Sequence, residues 1–220
     1  ARRNVFLLAC CQALLFTNNV TLISLNGLAG FALADTKALA TLPVTGYVVG
    51  AALSTFPASL WMKRVGRRNG FLTGTLFGLA GGAITTAAIW QSNFWLLVFG
   101  TLVLGTYNAF GQYYRFAAAD ASPGPWKAKA ISLVMAGGLV GGIIGPEMSK
   151  VTRALAQPTF VASYASLIGF CLVTMAILSR LRIPAPRDEE VHGPSRPLAE
   201  IMAQPVFVVA VVVAVLGYGV

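Results

Sequence analysis

Amide and phenol side chains recur inside two long apolar stretches of this sequence. Such groups are costly to bury in hydrocarbon unless they meet a partner on another helix or line a wet cavity. Asn108 and Gln112 are four residues apart and therefore share one helix face. At membrane depth, this pattern predicts either hydrogen bonding to a polar solute or bonding between helices that holds them together. The candidate solute-binding residues are Asn18, Asn19, Tyr107, Asn108 and Gln112.

Sulfur-containing side chains form a second candidate set. Cu(I) prefers thiolate and thioether ligands and needs few of them. The candidate ligands are Cys10, Cys11 and Met135, all inside apolar runs. Cys10 and Cys11 are adjacent, so they point about 100° apart on a helix and are not expected to clamp one ion together. The alternative is that these residues fill apolar space, as Met and free Cys commonly do.

The composition places these residues in a membrane protein. Of the 220 residues 56% are hydrophobic and 10% are charged, and the mean hydropathy is +0.73. A soluble chain carries about 25% charged residues, so the composition argues against a water-soluble enzyme. The net charge of +9 comes from short clusters between apolar stretches, which argues against a nucleic-acid-binding face. The single His192 lies in a polar segment without a His-Glu-x-x-His pattern, so no enzymatic site is predicted.

Six stretches are long enough to cross a bilayer, which needs about 20 apolar residues. A seventh apolar run, residues 205–220, is too short to span alone and is expected to be the start of a further helix. The predicted organisation is therefore a six-span bundle over 1–181, a polar linker over 182–204 and an incomplete seventh span over 205–220. The predicted spans are Val5 to Leu28, Ala38 to Met62, Gly70 to Trp90, Phe94 to Phe116, Ala130 to Met148 and Thr159 to Leu181.

The positive charges predict the orientation of these spans. Of the 16 Lys and Arg residues, all except Lys37, Lys150 and Arg153 fall on the same side of the predicted bundle. Because cytoplasmic loops are enriched in Lys and Arg, the start of the chain and the linker are expected in the cytoplasm.

The loop after the second span carries a recognisable pattern. It contains Arg64, Gly66, Arg67 and Arg68 in the order Arg-x-Gly-Arg-Arg, which resembles the signature loop of the major facilitator superfamily of transporters. The resemblance implies that these residues form a latch with neighbouring helix ends. The family's usual acid in this loop is replaced by Lys, so Asp120 at the end of the fourth span is the expected partner of Arg67 or Arg64. The alternative is that these cations only enforce orientation.

Glycines recur every four residues in the fifth span. Gly137, Gly141 and Gly145, followed by Pro146, resemble a glycine-rich motif of some families in the same superfamily. Such a ladder lets two helices approach closely, and the resemblance implies a part in gating. The alternative is ordinary tight packing.

The resemblance covers the whole chain in layout. It implies an all-α membrane protein, namely the six-helix N-terminal half of a major facilitator type transporter plus the start of a seventh helix.

The segment 112–120 is similar to a bacterial subgroup that includes CcoA-like copper importers and flavin transporters. Copper uptake across the inner membrane by alternating access is the expected function, with copper as the transported ion and no cofactor. The alternatives are transport of an organic solute, such as a flavin or a drug, or a role as a non-transporting membrane partner subunit. The expected partners are the lipid bilayer and the solute, with no nucleic acid, and the full transporter is expected to be monomeric.

Overall fold

The structure, a computed structural model, is all-α. It describes residues 2–181 together with 183, 204, 206, 209 and 213. In this described part, six helices are long and apolar enough to cross a membrane, which confirms the number of complete spans predicted from the sequence. Most of the predicted linker and seventh span lies outside the described residues.

The helices follow the predicted spans within a few residues; α1, α3 and α6 are longer than predicted, whereas α7 is two residues shorter at each end. The fourth span, Phe94–Asp120, is divided between α4 and α5. Two short 3₁₀ helices, Lys37–Leu39 and Gly124–Trp126, precede α2 and α6. The α-helices are α1 (Arg2–Leu33), α2 (Leu42–Val65), α3 (Arg67–Trp90), α4 (Phe94–Gly111), α5 (Tyr114–Asp120), α6 (Lys127–Thr152) and α7 (Val161–Ser179).

Local sequence explains where several helices begin and end. Pro43 lies in the first turn of α2, where its missing N–H costs nothing. Asn93 caps α4 because its side chain accepts a hydrogen bond from the backbone N–H of Leu96 at 3.0 Å. Gly66 separates α2 from α3 with a φ of 84°, a conformation that side chains with a Cβ disfavour. A single residue therefore turns the chain between two spans.

Close helix pairs build the bundle. The most extensive packing joins α1 to α6, α2 to α4, and α3 to both α4 and α7. The glycine ladder of α6 faces α1, and a Cβ at Gly137 or Gly141 would overlap the backbone carbonyl of Ala9 or Ala13. A Cβ at Gly145 would lie 2.7 Å from Cβ of Val20. The ladder therefore sets the close approach of α6 to α1, and α6 continues through Pro146 to Thr152.

Candidate substrate-binding site

The break in the fourth span lies beside two of the predicted polar residues. α4 ends at Gly111 and α5 begins at Tyr114. Between them, the backbone N–H of Tyr113 bonds three residues back to Phe110 at 3.2 Å, as in a tighter 3₁₀ turn. Gly111 lies against Leu15 of α1, and a Cβ there would come within 2.8 Å of Leu15 Cδ1. The fourth span therefore runs close to α1 at this depth.

Four side chains from three spans form one hydrogen-bonded group, which we call the midspan cluster: Asn19, Tyr47, Asn108 and Gln112. Asn19 Nδ2 donates to Asn108 Oδ1 at 2.8 Å. The Tyr47 hydroxyl donates to Asn19 Oδ1 at 2.5 Å. Gln112 Nε2 donates to the same Asn108 Oδ1 at 3.2 Å. Asn108 is the hub of the cluster, because its carbonyl oxygen accepts from both α1 and the end of its own span.

The midspan cluster keeps polar atoms available. Asn19, Asn108 and Gln112 are half-buried, whereas Tyr47 is buried. Among the hydrogen bonds of the described residues, none uses the NH₂ group of Asn108 or Oε1 of Gln112. One donor and one acceptor are thus free for a solute that reaches this depth, where a hydrogen bond is stronger than in water.

The other two predicted polar residues lie in the bundle interior. Asn18 and Tyr107 are each 2% exposed. Asn18 Nδ2 donates to the Leu167 carbonyl at 3.4 Å and to Cys171 Sγ at 3.5 Å. A Cβ at Gly78 would lie 2.9 Å from Tyr107 Cγ and 2.8 Å from Cys171 Sγ, so these side chains meet against α3. We call Asn18, Tyr107 and Cys171 the interior cluster.

The start of α3, directly after Gly66, connects to two other helix ends. Arg67 donates from both Nε and Nη2 to Asp120 Oδ2, at 3.2 and 3.0 Å, so the pair expected from the sequence is present. Arg68 Nη2 donates to the backbone carbonyl of Ser179 at 2.9 Å, at the end of α7. Arg64 is exposed and has no ion pair among the described residues. A role for the loop as a latch stays a prediction.

Comparison with known proteins decides the family. The sequence matches the Major Facilitator Superfamily over residues 5–220. The chain belongs to this family. It is therefore a transporter-family chain and not an enzyme, and the family resemblance predicted from the sequence is confirmed.

A curated member of this family extends the comparison. The chain is 41% identical over 221 residues to the riboflavin transporter RfnT of Brucella anthropi, a match that covers 99% of this chain and 56% of RfnT. The chain thus spans about half the length of this curated relative. Among solved structures, the E. coli fucose:proton symporter FucP resembles it with a TM-score of 0.61 and 14% identity, over 90% of this chain and 54% of FucP. This second likeness shows the fold alone.

The predicted sulfur ligands occupy different environments in this major facilitator chain. Cys11 is fully buried in the core that also contains Cys171. Cys10 is half-buried, and Met135 is 41% exposed. Within the described residues, no group of three or more His, Cys, Asp or Glu side chains could hold a metal ion.

Sequence reasoning missed Tyr47 as a member of the midspan cluster. A single tyrosine in an apolar span is usual, and its partner Asn19 is 28 residues away. The sequence signal for the position of Tyr47 is a pair of glycines, because Gly50 on α2 and Gly105 on α4 permit a close contact between these two helices. A Cβ at Gly105 would overlap the Tyr47 carbonyl. From the glycines on both helices, the sequence could have predicted that α2 packs against α4 and that Tyr47 lies near the fourth span.

Proposed function

We propose that the chain is the N-terminal half of a secondary transporter that carries a flavin-like organic solute, with riboflavin as the first candidate. The midspan cluster carries this proposal, because it presents free amide groups at membrane depth between three spans. The 41% identity to a protein named as a riboflavin transporter supports the choice of solute. The transporter works by alternating access, with the two halves rocking about a central cavity.

The chemistry of the cluster suits a flavin. The flavin ring system has carbonyl oxygens beside an imide N–H, so it needs donors and acceptors side by side. Asn108 offers a free NH₂ donor, and Gln112 offers a free carbonyl acceptor one helical turn away. Tyr47 and Asn19 fix the orientation of Asn108 through the 2.5 and 2.8 Å hydrogen bonds. A preorganised pair of this kind reduces the entropy cost of binding.

Copper uptake, the function first expected from the sequence, has weaker support. The similarity to a riboflavin transporter favours the organic-solute alternative. Cys11 is enclosed in the core while Met135 is exposed, so these two side chains present sulfur in different surroundings. The midspan cluster consists of amide and phenol groups, which bind a soft ion such as Cu(I) more weakly than sulfur ligands do.

The contacts of Arg67 with Asp120 and of Arg68 with the Ser179 carbonyl, which we call the latch, complete the proposed mechanism. The ion pair of Arg67 with Asp120 holds the start of α3 to the end of α5, and the hydrogen bond of Arg68 holds it to the end of α7. Both Arg67 and Asp120 are partly solvated, with side-chain exposures of 30% and 53%. An ion pair of this kind contributes about 0.2–1 kcal/mol, so it is weak enough to open and close in each transport cycle. We place this end of the bundle in the cytoplasm of a bacterial inner membrane, with the full transporter monomeric.

Uptake of labelled riboflavin tests the proposal. The full-length transporter is produced in bacteria that depend on external riboflavin, and Gln112→Ala is compared with Gln91→Ala. Gln91 is an exposed residue in the turn after α3, so its variant makes the same chemical change far from the cluster. We expect uptake by Gln112→Ala to fall by about thirtyfold at low riboflavin, because the hydrogen bond to Asn108 and the proposed one to the solute, about 1 kcal/mol each, are both lost. Uptake unchanged by Gln112→Ala, or absent from the wild type, contradicts the proposal.

A further inference from the structure

A small apolar cavity lies between the start of α1 and the start of α6. Its volume is about 210 Å³. Sites for drug-sized molecules occupy about 300–1,000 Å³, so this cavity suits a narrow apolar chain better than a folded solute. It shares no residue with the midspan cluster. The lining residues are Arg2, Val5, Phe6, Ala9, Trp126 and Leu133.

Two cations meet at the mouth of this cavity. The guanidinium of Arg2 lies 5.5 Å from the ring centroid of Trp126, and Nζ of Lys129 lies 5.0 Å from the same ring. Cation–π attraction holds both charges at one aromatic side chain. Trp is enriched at the depth of lipid headgroups, so a Trp ring that holds two cations is typical of a helix end at the membrane interface.

No carboxylate neutralises these charges in the described part of the chain. Asp120 pairs with Arg67, and Glu147 pairs with Lys150 at 2.7 Å. The remaining described acid, Asp35, follows the end of α1 that is distant from Arg2. Within the described residues, the mouth of the cavity therefore presents two positive charges without an acidic partner.

The start of α6 adds to this attraction. Its N-cap residue, Trp126, makes no side-chain cap hydrogen bond, and its first turn contains no acidic residue. Lys127 and Lys129 lie there instead. A helix N-terminus is stabilised by negative charge, so the cations and the helix end favour the same kind of ligand.

We propose that this cavity binds an acidic phospholipid. One acyl chain lies along Phe6, Ala9 and Leu133, and the phosphate lies between Arg2 and Lys129. The apolar cavity and the cationic mouth are continuous because Arg2 and Trp126 belong to both. A free phosphate would leave the apolar part unused, and a zwitterionic lipid would bring its own positive charge to the two cations. Basic pockets between membrane helices bind anionic headgroups for the same reasons.

Thermal unfolding of the full-length transporter in detergent tests this site. Phosphatidylglycerol is titrated into the wild type and into the double variant Arg2→Gln, Lys129→Gln, with phosphatidylcholine in parallel. We expect phosphatidylglycerol to raise the Tm of the wild type more than phosphatidylcholine does. In the double variant the concentration needed for half of this effect should rise about tenfold or more, because each cation near a headgroup contributes about 1 kcal/mol.

A charge-matched variant and an inorganic anion make the test specific. Lys63→Gln, Arg180→Gln removes the same charge from exposed positions at the same end of the bundle, and it should retain the wild-type response. An equal loss in both double variants would show an unspecific surface effect and overturn the proposal. Stabilisation by inorganic phosphate at the same potency would assign a free-anion site, and no preference for phosphatidylglycerol in the wild type would remove the site altogether.

Discussion

The midspan cluster and the interior cluster contain the same kinds of residue in opposite surroundings. Asn19 and Asn108 are half-buried and bond to each other at 2.8 Å, across α1 and α4. Their chain neighbours Asn18 and Tyr107 are each 2% exposed, and Asn18 bonds to α7. Successive residues of a helix point about 100° apart, so one step along each helix separates a candidate binding site from a packed interior.

Residue type and membrane depth are therefore not enough to assign a role to a polar side chain inside a helical bundle. An amide that bonds to a backbone carbonyl and a thiol in the core stabilises helix packing. An amide that is half-buried and keeps a free donor can bind a solute. The two clusters should therefore respond to mutation in opposite ways.

The largest expected effect is on the stability of the interior cluster. Tyr107→Ala removes a buried ring that packs on Gly78 and Cys171, and such a cavity costs about 3–5 kcal/mol. Tyr107→Phe keeps the ring and should cost less than about 1.5 kcal/mol. Thermal unfolding of the full-length protein measures both. Equal stability of Tyr107→Ala and the wild type would contradict the assignment of Tyr107 to the core.

A smaller effect is expected at the edge of the midspan cluster. Tyr47→Phe removes only the hydroxyl that donates to Asn19 Oδ1, so Asn19 and Asn108 lose part of their fixed orientation. Riboflavin uptake at low concentration should fall about threefold to tenfold, the equivalent of one hydrogen bond. Tyr113→Phe is a matched control, since Tyr113 donates to a backbone carbonyl on α2 outside the cluster. A similar loss in both variants would count against a specific role for Tyr47.

The smallest effect is expected at the latch. Arg67→Gln and Asp120→Asn each break the ion pair, and the pair is worth about 0.2–1 kcal/mol because it is solvated. Each single variant should therefore change the transport rate by no more than about fivefold. The double variant should show no further change, since both single variants remove the same interaction. If the effects of the two single variants multiply in the double variant, the two residues act independently. Lys63→Gln, in the last turn of α2, measures the effect of losing a charge alone.

Much of the fold could be predicted because membrane spans have a strong one-dimensional signal. A stretch of about 20 apolar residues admits few alternatives, and the six spans were placed within a few residues of α1 to α7. The glycines of α6 likewise mark a close helix contact wherever their partner lies, and the structure shows that the partner is α1.

The composition of the site was harder to predict, since it depends on rotation of the helices about their axes. All six spans are apolar around most of their circumference, so the sequence does not show which face meets which neighbour. Asn18 and Asn19 were therefore grouped, although the structure separates them. Tyr47 was missed for the same reason. The Arg67 to Asp120 pair was easier, because few acids lie near the helix ends on that side.

Binding of riboflavin to the purified full-length transporter distinguishes a solute-binding midspan cluster from a structural interior cluster. Quenching of flavin fluorescence gives the Kd for the wild type, for Asn108→Ala and for Asn18→Ala. We predict that Asn108→Ala raises the Kd by about tenfold or more, because the hub of the midspan cluster and its free donor are lost. Asn18→Ala should keep a Kd within about twofold of the wild type while lowering the Tm, because its lost hydrogen bonds belong to helix packing. The reverse pattern, with the Kd sensitive to Asn18 and insensitive to Asn108, would contradict the assignment of the two clusters.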